Sequence, residues 1–177
     1  PIFHPLIVGP GIKTGLDIRI DNPSQLGADL VASAVGALVK YPLPCVIFDL
    51  GTATKASVLD CGGAFVGAVL MPGVQVSLEA LAARTAQLPH IGLDSAPPRV
   101  IGTNTVDSMT SGSIYGTAAM IDGVTARIEN ELGKPVNLVV TGGLSGEIVK
   151  HCKTPLTYDA NLLLDGLLAL YHKNHKA

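Results

Sequence analysis

At 177 residues and 47% hydrophobic content, the chain has the length of one domain, or of one domain and part of a second, with ample material for a core. A formal net charge of -2 with no basic run, the absence of Trp and an aromatic share of 4% exclude a nucleic-acid reader built on basic patches or base stacking. Charged residues make up 15%, against roughly 25% in ordinary soluble domains, so a partner is expected to cover part of the surface.

The first 30 residues are punctuated by glycine and proline, which leaves only 6–8 and 18–20 as short strand candidates in a connecting, loop-rich segment. Leu30, Val31, Ala34, Val35, Leu38 and Val39 then recur at helical spacing and predict a helix over 28–41, ended by Pro42-Leu43-Pro44. Three strands follow at 46–49, 54–59 and 65–70, with a turn at Asp60-Cys61-Gly62-Gly63. Pro72-Gly73 breaks the chain before a helix over 74–85, and 88–100 reads as loop. A long helix is predicted over 105–132, where small residues at 111, 112, 113, 116, 118 and 119 make a thin face that a second helix can approach. Gly133-Lys134-Pro135 stops it, 136–140 reads as a buried strand, and 146–151 and 162–171 as helices. Strand-helix alternation in the second half predicts an α/β domain with a mixed sheet and flanking helices.

Asp49-Leu50-Gly51-Thr52-Ala53-Thr54 directly follows the apolar run Cys45–Phe48. A strand that ends in an acid and bends through glycine can offer backbone N–H groups, hydroxyls and a carboxylate to a phosphate and its cation. The alternative is an ordinary hairpin turn. Asp29, after Gly27-Ala28, lies in the first turn of a predicted helix, where a carboxylate can act as a general base or simply favour the helix dipole. Asn104 and Thr105 suit a helix N-cap, and Thr141-Gly142-Gly143-Leu144 is a strand-to-helix turn whose glycines permit close approach of a ligand. His4, His90, His151, His172 and His175 are scattered without ligand spacing and read as surface or structural. Cys45, Cys61 and Cys152 form no Cys-x-x-Cys pair, which argues against a zinc site or disulfide framework and for a reducing compartment. No apolar run approaches the ~20 residues that cross a bilayer.

The ordered set Gly9-Pro10-Gly11, Asp21-Asn22-Pro23, Gly27-Ala28-Asp29, Asp49-Leu50-Gly51-Thr52, Pro72-Gly73, Gly102-Thr103-Asn104-Thr105 and Thr141-Gly142-Gly143-Leu144 resembles the type III pantothenate kinases, members of the acetate and sugar kinase/Hsc70/actin superfamily. The resemblance runs from about Pro5 to about Asn174. It implies a ribonuclease H-like (actin-like ATPase) fold with an incomplete first domain: residues 1–30 as connecting and substrate-side loops, residues 31–177 as the C-terminal actin-like domain. It implies phosphorylation of pantothenate by ATP, the first step of coenzyme A biosynthesis, with Mg2+ and a monovalent cation, K+ or NH4+. Asp29 matches the catalytic base; Gly27, Ala28, Asp29, Leu30 and Thr105 match substrate-binding positions; Gly51, Thr52, Gly142 and Gly143 match ATP-binding positions; Asp49 matches the cation ligand.

The family opens with a strand and an Asp-x-Gly-Asn-Thr loop, and nothing of that form precedes Pro5. The chain is therefore expected to start about one third of the way into the family pattern and to be inactive alone. Three positions depart from the pattern: Ile20 replaces a tyrosine, Leu30 an arginine and Lys55 a threonine. Lys55 reads as an exposed strand lysine, with pairing to phosphate as the alternative. The resemblance further implies a homodimer, or a heterodimer with a related kinase chain, while composition and the cysteine pattern predict a cytoplasmic protein that touches neither nucleic acid nor membrane. The rival reading is a non-catalytic, family-derived subunit that completes or regulates a kinase dimer.

Overall fold

A computed structural model describes residues 5–175; His4 lies outside them. The helix α1 (Ala28–Lys40) leads into β1 (Cys45–Leu50), β2 (Ala53–Leu59) and β3 (Phe65–Pro72). Then come α2 (Val74–Arg84), the long α3 (Thr105–Leu132), β4 (Asn137–Thr141), the short α4 (Ser145–Ile148), β5 (Thr157–Tyr158) and α5 (Leu162–Asn174). The strands form one mixed sheet in the order β3-β2-β1-β4-β5, with β1, β2 and β3 antiparallel and β4 and β5 running parallel to β1.

Both faces of the central strands β1 and β4 are covered, and the period-2 alternation of β1 assigns its side chains to them. Cys45 and Ile47 join Leu59 and Val139 beneath α1 and α5, while Val46, Phe48, Leu50 and Val140 pack against Ile114, Ala118 and Ile121 of α3 and Ile148 of α4. Because α1 is held between the sheet and α5, every residue from Val31 to Ala37 is buried. The α1–α5 contact is backbone on backbone: a Cβ at Gly36 would come within 2.5 Å of the Leu162 carbonyl oxygen, and one at Gly166 would overlap that of Ala32.

An ion-pair cluster lies one turn farther along, where α1 ends and α5 begins. Lys40 Nζ reaches Asp159 Oδ2 at 2.6 Å and Asp165 Oδ2 at 2.5 Å, and the Tyr41 hydroxyl donates to Asp159 Oδ2 at 2.6 Å. Burial pushes the Tyr41 hydroxyl up to about 12, aided by its bond to Asp159. The loop-rich start of the chain lies on the same layer, with Leu16 inside the α1–α5 core. Asn174 clamps it by accepting from the Lys13 N–H and donating to the Lys13 carbonyl, each at 2.9 Å.

Most of the predicted elements are present, and the differences have local causes. Residues 6–8 form no strand and 18–20 contribute only an isolated bridge from Ile18 to Phe65. Glycine and proline leave these stretches too short to extend the ladder. Two residues make up β5, too few to carry an alternation that a sequence can display. The helix predicted over 146–151 is the single turn α4 followed by a 3-10 turn, Val149–His151. The thin face of α3 is also divided: Ser111 and Ala118 point into the protein, whereas Gly112, Gly116 and Ala119 are exposed. Ser111 donates to the carbonyl of Val100 and so tethers the 88–100 loop.

Candidate phosphoryl-transfer site

Parallel pairing of β1 with β4 sets Asp49 beside Thr141, so the turns that follow both strands emerge at one end of the sheet. Ligand sites of α/β sheets lie at such carboxyl ends. Gly51 and Thr52 form the tight connection from β1 to β2, and Thr52 is exposed at its tip. The stretch is thus a hairpin turn, with its tip open to solvent. Gly142 (φ 104°) leaves β4 in a left-handed conformation, and a Cβ there would meet Leu50 backbone atoms at 2.7 Å. The glycine therefore lets the β4 turn close over the end of β1. Gly143 stands next to it in open space.

Two residues outside the predicted set shape these turns. Gly73 lies under the Gly51–Thr52 turn, where a Cβ would come within 2.5 Å of the Gly51 oxygen and overlap that of Thr52. Ser145 is fully buried, and its hydroxyl bridges the carbonyls of Thr141 at 2.5 Å and Gly142 at 2.7 Å. Pro72-Gly73 signals a helix boundary and one member of the ordered motif set, and nothing local distinguishes Ser145 from any serine after a turn.

Asp29 occupies the first turn of α1, with Gly27 as the N-cap and Ala28 as the first helical residue. Its Oδ1 accepts from the Leu30 N–H at 2.9 Å, while Oδ2 takes a hydrogen bond from Lys55 Nζ. Lys55 is directly opposite Asp49 in the β1–β2 register, and its Nζ is 3.0 Å from Asp49 Oδ2. The side chain of Lys55 is only 16% exposed. The expectation of a solvated strand lysine is therefore corrected: Lys55 ties Asp29 to Asp49. Its hydrogen bond, ahead of the opposing effect of partial burial, holds the Asp29 carboxyl below the usual aspartate range. Burial disfavours the Lys55 charge, but both aspartates outweigh it and raise its affinity for the proton.

The structure thus brings Gly27, Ala28, Asp29, Leu30, Asp49, Gly51, Thr52, Gly142 and Gly143 to one end of the sheet, on the α1 side or at the strand tips. Thr105 is placed elsewhere. It opens α3, which packs on the opposite face from α1, and it lines a separate cavity with Leu88, Gly102 and Met109. Asn104, not Thr105, caps α3, accepting from the Asp107 N–H at 2.9 Å. The exposed Thr105 hydroxyl is left free of that duty. Asp49, the residue matched to a monovalent cation, already has an ammonium on its carboxylate, so K+ or NH4+ does not fit beside it without displacing Lys55.

This sheet order, with helices on both faces and glycine turns at the ends of the central parallel strands, defines an α/β protein of the ribonuclease H-like, actin-like ATPase fold. Solved structures share it. The Campylobacter jejuni protein titled a Baf family transcriptional activator superimposes with a TM-score of 0.60 at 19% identity, covering 91% of this chain and 70% of that one. The ethanolamine utilization protein EutJ of Carboxydothermus hydrogenoformans gives 0.50 at 14% identity over 82% of this chain and 53% of its own. At these identities the likeness concerns fold alone.

Sequence comparison goes further. The profile of the type III pantothenate kinase family matches residues 2–127, and the chain belongs to that family. Type III pantothenate kinases from an Exiguobacterium strain and from Koribacter versatilis are 43% and 44% identical over 98% and 97% of this chain. The chain spans 67% and 62% of the length of those two relatives.

Proposed function

We propose that the chain serves in ATP-dependent phosphorylation of pantothenate, the opening step of coenzyme A biosynthesis, as part of a cytoplasmic kinase assembly. The observation that carries this reading is the convergence of Asp29 with the Asp49–Thr52 and Gly142–Gly143 turns at one end of the sheet. Thr52 and the backbone of both turns would receive the ATP phosphates, to which hydroxyls and N–H groups donate without adding charge. Those phosphates also suit Mg2+, which keeps much of its water and takes few protein ligands. When bound, Mg2+ supplies neutralisation of charge on the transferring group. Asp29, held ionised by Lys55, would accept the proton of the pantothenate 4′-hydroxyl as that oxygen attacks the γ-phosphate. Residues 1–30 would form the substrate-side loops, where Val8, Ile12, Leu26 and Ala28 border a cavity of about 300 Å³. Residues 31–177 would form the C-terminal actin-like domain.

A dimer follows from the same reading. A cavity of about 670 Å³ between α2 and α3 is lined by Met71, Leu78, Leu81, Met109, Gly116 and Met120 and suits coverage by a second kinase chain, identical or related. Thr105 opens α3 close to this groove, on the far side of the sheet from Asp29. It would reach pantothenate bound to another copy.

The test is transfer of labelled phosphate from ATP to pantothenate by the chain alone and after titration with a family chain carrying the Asp-x-Gly-Asn-Thr loop. Activity is expected to appear on mixing and to saturate at a fixed stoichiometry. Absence of transfer both by the chain alone and in the mixture would overturn the reading. A second reading, a non-catalytic subunit, is favoured by Leu30 and Ile20, which remove polar groups from the substrate side. It predicts that activity in the mixture survives Asp29→Asn.

A further inference from the structure

We propose that the Lys55 ammonium is the resident monovalent cation of this site, so that the chain takes up neither K+ nor NH4+ between Asp29 and Asp49. This builds on the placement of the phosphate end given above, but the side-chain geometry stands without any assignment of substrate.

Lys55 Nζ is the single cationic atom between two carboxylates that come from separate elements, Asp29 from α1 and Asp49 from β1. One alkylammonium beside two aspartates leaves the same net charge as one K+ beside them. An alkylammonium also resembles NH4+ in size and in offering N–H donors, and here it donates to Asp29 Oδ2 and pairs with Asp49 Oδ2 at 3.0 Å.

The position of that ammonium is set by the backbone. Asp49 and Lys55 are partners in the antiparallel register, flanking the Gly51–Thr52 turn, and opposed residues project to the same face. With Lys55 mostly shielded from solvent, the charge is delivered on a stem held at both ends of its reach. A free cation would have to displace a covalently tethered group whose binding is intramolecular. Exchanging a lysine for a small hydroxyl residue would reopen the space, and the two carboxylates would then recruit a cation from solution.

The experiment compares thermal unfolding of the chain and of Lys55→Thr in KCl, NH4Cl, NaCl and tetramethylammonium chloride at one ionic strength. For the unaltered chain the midpoint is expected to be the same in all four salts. For Lys55→Thr it is expected to fall in tetramethylammonium chloride and to recover selectively in KCl or NH4Cl. Thallium-205 NMR provides an independent arm: no saturable Tl+ binding to the unaltered chain, and a K+-competable site in Lys55→Thr. Selective stabilisation of the unaltered chain by K+, or saturable Tl+ binding to it that Asp49→Asn removes, would overturn the proposal. A folded Lys55→Thr chain without cation selectivity would do so too, by showing that the ammonium fills no cation site. If Lys55→Thr does not fold, the Tl+ measurement on the unaltered chain still decides. Neither arm depends on kinase activity, so failure here and failure of the kinase reading are separable.

Discussion

Gly166 of α5 faces the carbonyl of Ala32 in α1 with no room for a Cβ between them, and this contact fixes the spacing of the two helices that cover one face of the sheet. Alanine is the better helix former by ~1 kcal/mol, so on propensity alone Gly166→Ala would stabilise. The obstacle is backbone, which yields less readily than a side chain, and overpacking of this kind costs ~1–3 kcal/mol. Urea denaturation is expected to show a net loss for Gly166→Ala. The same change at Gly112, where a Cβ meets nothing within 4 Å, should leave stability equal or higher.

Asp29→Asn should lower turnover of the reconstituted kinase by roughly 10²–10⁴-fold, the usual contribution of a general base. Folding should be nearly unaffected, because Lys55 keeps Asp49 as its partner and the amide still occupies the first turn of α1. Steady-state kinetics beside a melting curve separates the two quantities; unaltered turnover with a lower melting temperature would assign Asp29 to the helix.

Asn104 and Thr105 can be separated by substitution. Removing the cap with Asn104→Ala should cost about 1 kcal/mol of stability. Thr105→Ala should cost little, since its hydroxyl has no cap bond to lose, but should raise KM for pantothenate in the assembled enzyme. Equal stability losses for the two variants would contradict this division.

The Lys40–Asp159–Tyr41 cluster predicts a particular response to acid. Burial opposes ionisation of Asp159, but hydrogen bonds from Lys40, Tyr41 and the Asn161 N–H prevail, and its pKa is lowered from 3.8. A carboxylate with a depressed folded-state pKa contributes stability that is present above the unfolded value and is lost as pH falls through the folded one. Asp159→Asn should therefore lower the melting temperature near neutral pH, with the gap from the unaltered chain narrowing below about pH 4. A gap that stays constant to pH 2 would show that the loss comes from packing.

Gly116→Leu probes the groove between α2 and α3. With Gly116 exposed and no atom within 4 Å of a Cβ added there, a leucine should be accepted by the isolated subunit and should disrupt a close partner at a cost of roughly 1–3 kcal/mol. Sedimentation at low micromolar concentration is expected to show a dimer before the change and a shift toward monomer after it. A monomer before the change would mean that the groove serves another purpose.

How much could be read from the sequence depended on whether a signal was local. Helix α3 begins and ends where Asn104 and Gly133 place its stops, since a cap and a left-handed glycine act within one turn. Lys55 reads as solvated although half of its environment is local: a tight turn at Gly51–Thr52 sets residues 49 and 55 opposite one another on one face. Its other partner, Asp29, is 26 residues away, and only the docking of α1 on the sheet supplies it. The small-residue signal was assigned to α3, whereas the closest helix crossing belongs to Gly36 and Gly166, isolated glycines in apolar helices. Periodicity shows which face is buried; how closely two backbones approach depends on both partners at once.

The thiols differ in a way that offers a built-in handle. Burial pushes Cys45 up to about 12 and Cys152 up to about 11, whereas Cys61 is exposed in the turn between β2 and β3. Thiolate is the reactive form, so a maleimide dye at neutral pH should attach at Cys61 ahead of the other two. Strand β2 separates that turn from the Gly51–Thr52 turn by about 20 Å at ~3.3 Å per residue. A fluorophore can thus be placed on the natural sequence at the remote end of the sheet, where its anisotropy would follow the assembly of chains while the phosphate end stays unmodified.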